Sequence, residues 1–87
     1  MVKIDIFTSR SCPYCVLAKT LLKSKGVLFN ELEIDGNPEL IAESVKRSDG
    51  AKTVPQIFIE NYHVGGYDEL TVLDKNGELD SLLGLNN

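Results

Sequence analysis

The sequence predicts an α/β domain with a four-stranded mixed sheet flanked by helices, in the order β-α-β-α-β-β-α. Three observations carry this. Segments of period-two apolar alternation are interleaved with segments of helical spacing in the first half of the chain. Two strand-like runs at 56–60 and 62–64 nearly abut, which makes them a hairpin. Helix-starting and helix-stopping residues fall at the junctions between these segments.

The first strand is VKIDIF at 2–7, where Val2, Ile4 and Ile6 alternate with Lys3 and Asp5. From Cys12 onward Val16, Leu17, Leu21 and Leu22 recur at helical spacing, with Lys19, Thr20 and Lys23 on the other face. Gly26 stops this helix, since a glycine just past the end takes the left-handed conformation at little cost. VLFNELEI at 27–34 returns to a strand pattern.

Asn37 followed by Pro38 reads as an N-cap and first-turn proline, opening a helix through Leu40, Ile41, Ser44 and Val45 that ends near 48–50. Gly65-Gly66 breaks the last strand, and Asp68 begins a short helix carrying Leu70 and Leu73. Leu79, Leu82 and Leu83 form a frayed C-terminal turn against the sheet. Strand, helix, strand at the start favours a right-handed parallel crossover, to which the hairpin adds an antiparallel pair.

At 87 residues the chain supports one domain, 1–87, with one modest core. Its 43% hydrophobic and 25% charged residues fit an ordinary globular protein rather than a disordered or fibrous one. A net charge of −4, with the nine basic residues dispersed, argues against nucleic acid as a partner. No apolar run reaches the roughly 20 residues of a membrane span, and MVKIDIFTSR lacks the features of a signal peptide. The expected location is the cytoplasm, where thiols are mostly kept reduced.

The two cysteines of the chain fall together in SCPYCV at 11–16. In the predicted topology CPYC sits where the first strand hands over to the first helix. Ser11 is then the N-cap, and Pro13 is tolerated because first-turn amides have no helical acceptor. A sulfur at that position meets the positive end of the peptide dipoles and unpaired N–H groups, which favour the thiolate. Cys12 is accordingly the nucleophile. Cys15 lies on the same helical face, deeper in the helix and within reach of the first sulfur, as a resolving thiol would. A zinc site is disfavoured, because four ligands are needed and His63 is the only other soft candidate. His63 itself is expected on the hairpin surface without a catalytic part.

CPYC at 12–15, TVPQIFI at 53–59 and GGYDEL at 65–70, in this order, resemble the dithiol glutaredoxins of bacteria, and the likeness covers essentially the whole chain. The resemblance implies a thioredoxin-like fold and glutathione-dependent thiol–disulfide oxidoreduction, with no metal or bound organic cofactor. It implies a cis peptide bond at Val54-Pro55 facing Cys12. The backbone of Val54, beside Thr53, would then pair with the cysteinyl part of glutathione as a short strand addition. It further implies that Gly66 and the amides of Tyr67 and Asp68 receive the γ-glutamyl carboxylate, while the Asp68 carboxylate accepts from the α-ammonium. Tyr14 would touch the bound glutathione beside the sulfur. Members of the family often carry lysine three residues before the first cysteine. Here Ser9 stands there, which leaves Arg10 and Lys52 as candidates for the glycyl carboxylate.

Two other readings compete with a glutathione-dependent reductase. One is a glutaredoxin-like electron donor reduced directly by thioredoxin reductase, whose members usually carry other residues between the cysteines. The other is an iron–sulfur carrier in which two chains share a cluster, whose members tend to lack proline after the first cysteine, whereas Pro13 is present here. The expected partners are glutathione and disulfide-containing or glutathionylated proteins, ribonucleotide reductase among the possible ones, acting on a monomer.

Overall fold

The computed structural model describes residues 2–85. Its elements run β1 (Ile4–Thr8), α1 (Pro13–Ser24), β2 (Asn30–Glu33), α2 (Pro38–Arg47), β3 (Gln56–Ile59), β4 (Tyr62–Gly65), α3 (Tyr67–Lys75) and α4 (Glu78–Leu82). The four strands form one sheet in the order β2-β1-β3-β4. β1 and β2 are parallel, while β1–β3 and β3–β4 are antiparallel. The parallel pairing of β1 with β2 and the β3–β4 hairpin agree with the expected topology.

Alternation along the strands sorts side chains onto two faces. Ile4, Ile6, Ile57, Ile59 and Val64 meet Ala18 and Leu22 of α1, Leu70 and Leu73 of α3, and Leu79 of α4 in one core. Each fully buried aliphatic side chain there contributes about 1.5–3 kcal/mol relative to exposure. Asp5, Phe7 and Phe58 point to the opposite face, where Arg47 at the end of α2 covers them. Its guanidinium lies 4.3 Å from the Phe58 ring centroid and 5.5 Å from that of Phe7. It also donates to the buried Asp5 carboxylate at 3.0 Å.

Three element-level expectations need correction. The buried stripe of α1 is Cys15, Ala18 and Leu22, whereas Val16 and Leu17 are exposed. The face of α1 turned to the core thus carries the smaller side chains Cys15 and Ala18 in its first turns. The C-terminal segment is a regular short helix, α4, rather than a frayed turn, with Leu79 and Leu83 buried. The cap of α1 is Cys12 itself rather than Ser11. By contrast Asn37 caps α2 as expected, its Oδ1 accepting from the Leu40 amide at 3.1 Å, and Gly26 follows the end of α1 with φ +73°.

Candidate active site

The antiparallel β1–β3 pairing sets the C-terminal end of β1 beside the N-terminal end of β3, with Phe7 opposite Gln56. The loop leaving β1 and the loop entering β3 therefore emerge at the same end of the sheet. The first carries Cys12 and the second Thr53, Val54 and Pro55. Cys12 Sγ lies 3.6 Å from the Val54 carbonyl oxygen, to which its thiol donates. The Val54-Pro55 bond is cis, as the resemblance implied.

Cys12 has the extended backbone of an N-cap, and Pro13 follows as the first helical residue. Its sulfur accepts from the Cys15 amide at 3.1 Å. A cap normally uses a side-chain oxygen for this purpose. Here the Cys12 sulfur takes that place, so a first-turn N–H is aimed directly at it. Cys12 is partly exposed and Cys15 is 1% exposed. Burial pushes the Cys15 thiol up to about 12, helped by hydrogen bonding and charge from the Cys12 sulfur. At neutral pH Cys15 thus holds its proton. On the same helix Lys19 pairs with Glu31 at 2.8 Å, and the Thr8 hydroxyl donates to that carboxylate at 2.8 Å.

The loop before Cys12 is tied down by Asp35, whose carboxylate accepts from the Arg10 amide at 2.8 Å and the Ser9 hydroxyl at 2.9 Å. These two donors hold the Asp35 carboxyl below its ordinary value.

Beside the sulfur lies a cleft of about 240 Å³ lined by Tyr14, Thr53, Val54, Pro55, Gln56, Gly66, Tyr67, Asp68 and Glu69. Tyr14 is exposed, and its ring sits 6.1 Å from that of Tyr67 at a 32° tilt, so the two aromatics form one wall. On the other side α3 begins at Tyr67 with Gly66 as its cap. Gly65 has φ +109° and a Cβ there would meet Glu69 Oε1 at 3.0 Å, so both conformation and space call for glycine.

Most of the sequence-predicted residues converge here. Cys12, Tyr14, Thr53, Val54, Pro55, Gly66, Tyr67 and Asp68 all border the sulfur or the cleft, and Cys15 lies beneath them. Arg10 and Lys52 are exposed and do not line the cleft. Two lining residues were missed. Glu69 accepts from the Gly66 amide at 2.7 Å, and its signal was the spacing of a capping box, with a glycine in place of the usual Ser or Thr. Gln56 gave no signal beyond following Pro55.

The glutaredoxin family model matches residues 4–64. A glutaredoxin 3 of Escherichia coli strain K12 is 55% identical over 83 residues, spanning 95% of this chain and 99% of that one. The chain belongs to the glutaredoxin family. The solution structure of glutaredoxin from Brucella melitensis superposes with a TM-score of 0.83 at 49% identity, covering 100% of this chain and 94% of that one. A crystal structure of a buckwheat glutaredoxin–glutathione complex gives 0.85 at 26% identity, covering 95% and 77%. The fold is thus thioredoxin-like. As a glutaredoxin with a CxxC pair, this protein is a glutathione-dependent thiol–disulfide oxidoreductase of the dithiol type.

Proposed function

We propose that the cleft beside Cys12 seats glutathione, with its sulfur at Cys12, its cysteinyl backbone along Val54 and its γ-glutamyl end at the start of α3. The observation that carries this reading is the placement of Cys12 Sγ 3.6 Å from the Val54 carbonyl, at the mouth of a cleft ending on the Gly66–Asp68 turn. The buckwheat structure holding glutathione supports it. Tyr67 and Asp68 offer first-turn amides to a carboxylate. Asp68 offers a charged acceptor to the ammonium. Arg10 and Lys52 remain the cations near enough in sequence to serve the glycyl carboxylate from outside the cleft.

The chemistry follows in two routes. With a glutathionylated thiol, the Cys12 thiolate attacks the glutathione sulfur, and the former partner leaves as its thiolate. A second glutathione thiolate then attacks the sulfur of the bound glutathione, releasing glutathione disulfide and the Cys12 thiolate. With a protein disulfide, Cys12 captures one sulfur and releases the other. Cys15 then loses its proton and attacks Cys12, freeing the reduced protein and leaving a Cys12–Cys15 disulfide that two glutathiones reduce. The reaction requires a pool of reduced thiol, which supports a cytoplasmic site of action. We place ribonucleotide reductase among the candidate protein substrates and take the acting form to be a monomer.

The test is NADPH oxidation coupled through glutathione reductase, with a small glutathione mixed disulfide as substrate. Turnover is expected in that system, and turnover with thioredoxin reductase alone would overturn the proposal. Cys12→Ser should abolish all turnover, since a serine hydroxyl is not ionised near neutral pH. Appreciable activity in that variant would mean that another group is the nucleophile.

A further inference from the structure

Gln56 is buried at the entrance of β3, 4% exposed, and both ends of its amide are engaged. Its Nε2 donates to the Thr53 carbonyl at 3.1 Å and lies 3.4 Å from the Thr53 hydroxyl. Its Oε1 lies 2.7 Å from His63 Nε2. The chemistry of the partners orients this chain of bonds. A carbonyl oxygen only accepts, so the amide nitrogen must face Thr53 and the amide oxygen must face His63. His63 Nε2 must then carry a hydrogen, which it does in one neutral tautomer and in the charged form alike.

His63 is itself held in place. Its ring stacks on Phe58 at 4.7 Å and 20°, and the Arg47 guanidinium lies over Phe58. A register shift in the β3–β4 ladder between Ile57 and Phe58 brings His63 opposite Phe58, while Val64 remains in the core. Bulges of this kind re-aim side chains near functional sites.

The consequence reaches the cleft through one peptide group. The Thr53–Val54 bond is trans, since Val54-Pro55 is the cis bond of the described residues. In a planar trans peptide the C=O of one residue and the N–H of the next point in opposite directions. Holding the Thr53 carbonyl inward on Gln56 therefore turns the Val54 N–H outward, next to the Val54 carbonyl that faces Cys12. We propose that Gln56, braced by His63, is a positioning residue that locks the Thr53–Val54 peptide plane and so presents the Val54 N–H to the cysteinyl carbonyl of bound glutathione.

This rests on the glutathione reading above, and the experiment separates the two. Steady-state kinetics with the mixed disulfide of glutathione and 2-mercaptoethanol are measured for the wild type, Gln56→Met, Gln56→Glu, His63→Ala and His63→Gln. Folding is followed by circular dichroism, and Cys12 reactivity by iodoacetamide alkylation. Gln56→Met keeps the side chain's length and cannot donate to Thr53, and Gln56→Glu cannot donate while its carboxyl is ionised, so its kinetics are read at about pH 8. Each should raise KM about five- to tenfold, the effect of one buried neutral hydrogen bond, with kcat and the alkylation rate close to wild type. His63→Ala should raise KM in the same direction, and His63→Gln, which restores an N–H donor, should recover most of it. A KM within twofold of wild type in a folded Gln56 variant would overturn the inference, as would a fall in kcat and alkylation with KM unmoved. If Gln56→Met does not fold, the isosteric Gln56→Glu decides by the same criterion. Failure of the wild type to saturate with this substrate would overturn the glutathione reading itself, and this inference with it.

Discussion

Cys15 holds its proton at neutral pH for two kinds of reason with different fates during turnover. Burial is permanent, but the hydrogen bond and charge supplied by Cys12 vanish once Cys12 is bound in a mixed disulfide. In the proposed route Cys15 therefore becomes easier to ionise only after Cys12 has captured a substrate. Below its ionisation range the thiolate fraction rises tenfold per pH unit. Release of a protein trapped on Cys12 should accordingly accelerate with pH between about 7 and 9, as rapid quench of the mixed disulfide would show. Cys15→Ser separates the two routes. Deglutathionylation should persist, because a second glutathione regenerates Cys12. Reduction of protein disulfides should fall by an order of magnitude or more, since an adjacent thiol has a far higher effective concentration than a free one. Equal loss of both activities would show that Cys15 supports the Cys12 thiolate instead.

At the scale of the element, the end of α2 is tied to the sheet through Arg47. Arg47 ties its last turn to Asp5, whose side chain is 8% exposed, and to the faces of Phe58 and Phe7. Asn30 adds an amide donor to the same carboxylate at 3.1 Å. Removing Arg47 leaves a buried charge with one neutral donor and an ammonium, that of Lys3, at 4.0 Å. Arg47→Ala should cost about 2–3 kcal/mol, toward the low end for a broken buried pair because the guanidinium is part-solvated. The melting temperature should fall by roughly 10–20 °C. Adding Asp5→Asn to Arg47→Ala should recover part of the loss, and no recovery would mean that stacking on the phenylalanines, not charge, holds the helix. These elements were legible in the sequence to unequal degrees. Asn37-Pro38 and Gly26 acted through local backbone chemistry and were readable. The buried face of α1 was not, because Cys15 and Ala18 weigh little as hydrophobic signals while Val16 and Leu17 weigh heavily. Only the tertiary packing of the helix decides between them. Gln56 was invisible for a related reason, since its role depends on a cross-strand partner set by a register shift.

At the scale of the whole molecule, the site draws on two stretches of chain that never adjoin in sequence. Cys12 and Val54 are 42 residues apart, and they meet because β1 and β3 run antiparallel at the centre of the sheet. Between them lies the exposed turn at Gly36, with φ +65° and open space around it. A chain cut there separates a fragment holding both cysteines from one holding the Val54 loop and the α3 cap. Neither half should turn over alone. Fused to two proteins that bind each other, the halves should recover activity in proportion to that binding, and a fragment active by itself would show that the Val54 side of the site is dispensable. The central antiparallel ladder would then serve as a coincidence detector, converting an encounter between two foreign proteins into a measurable flow of electrons.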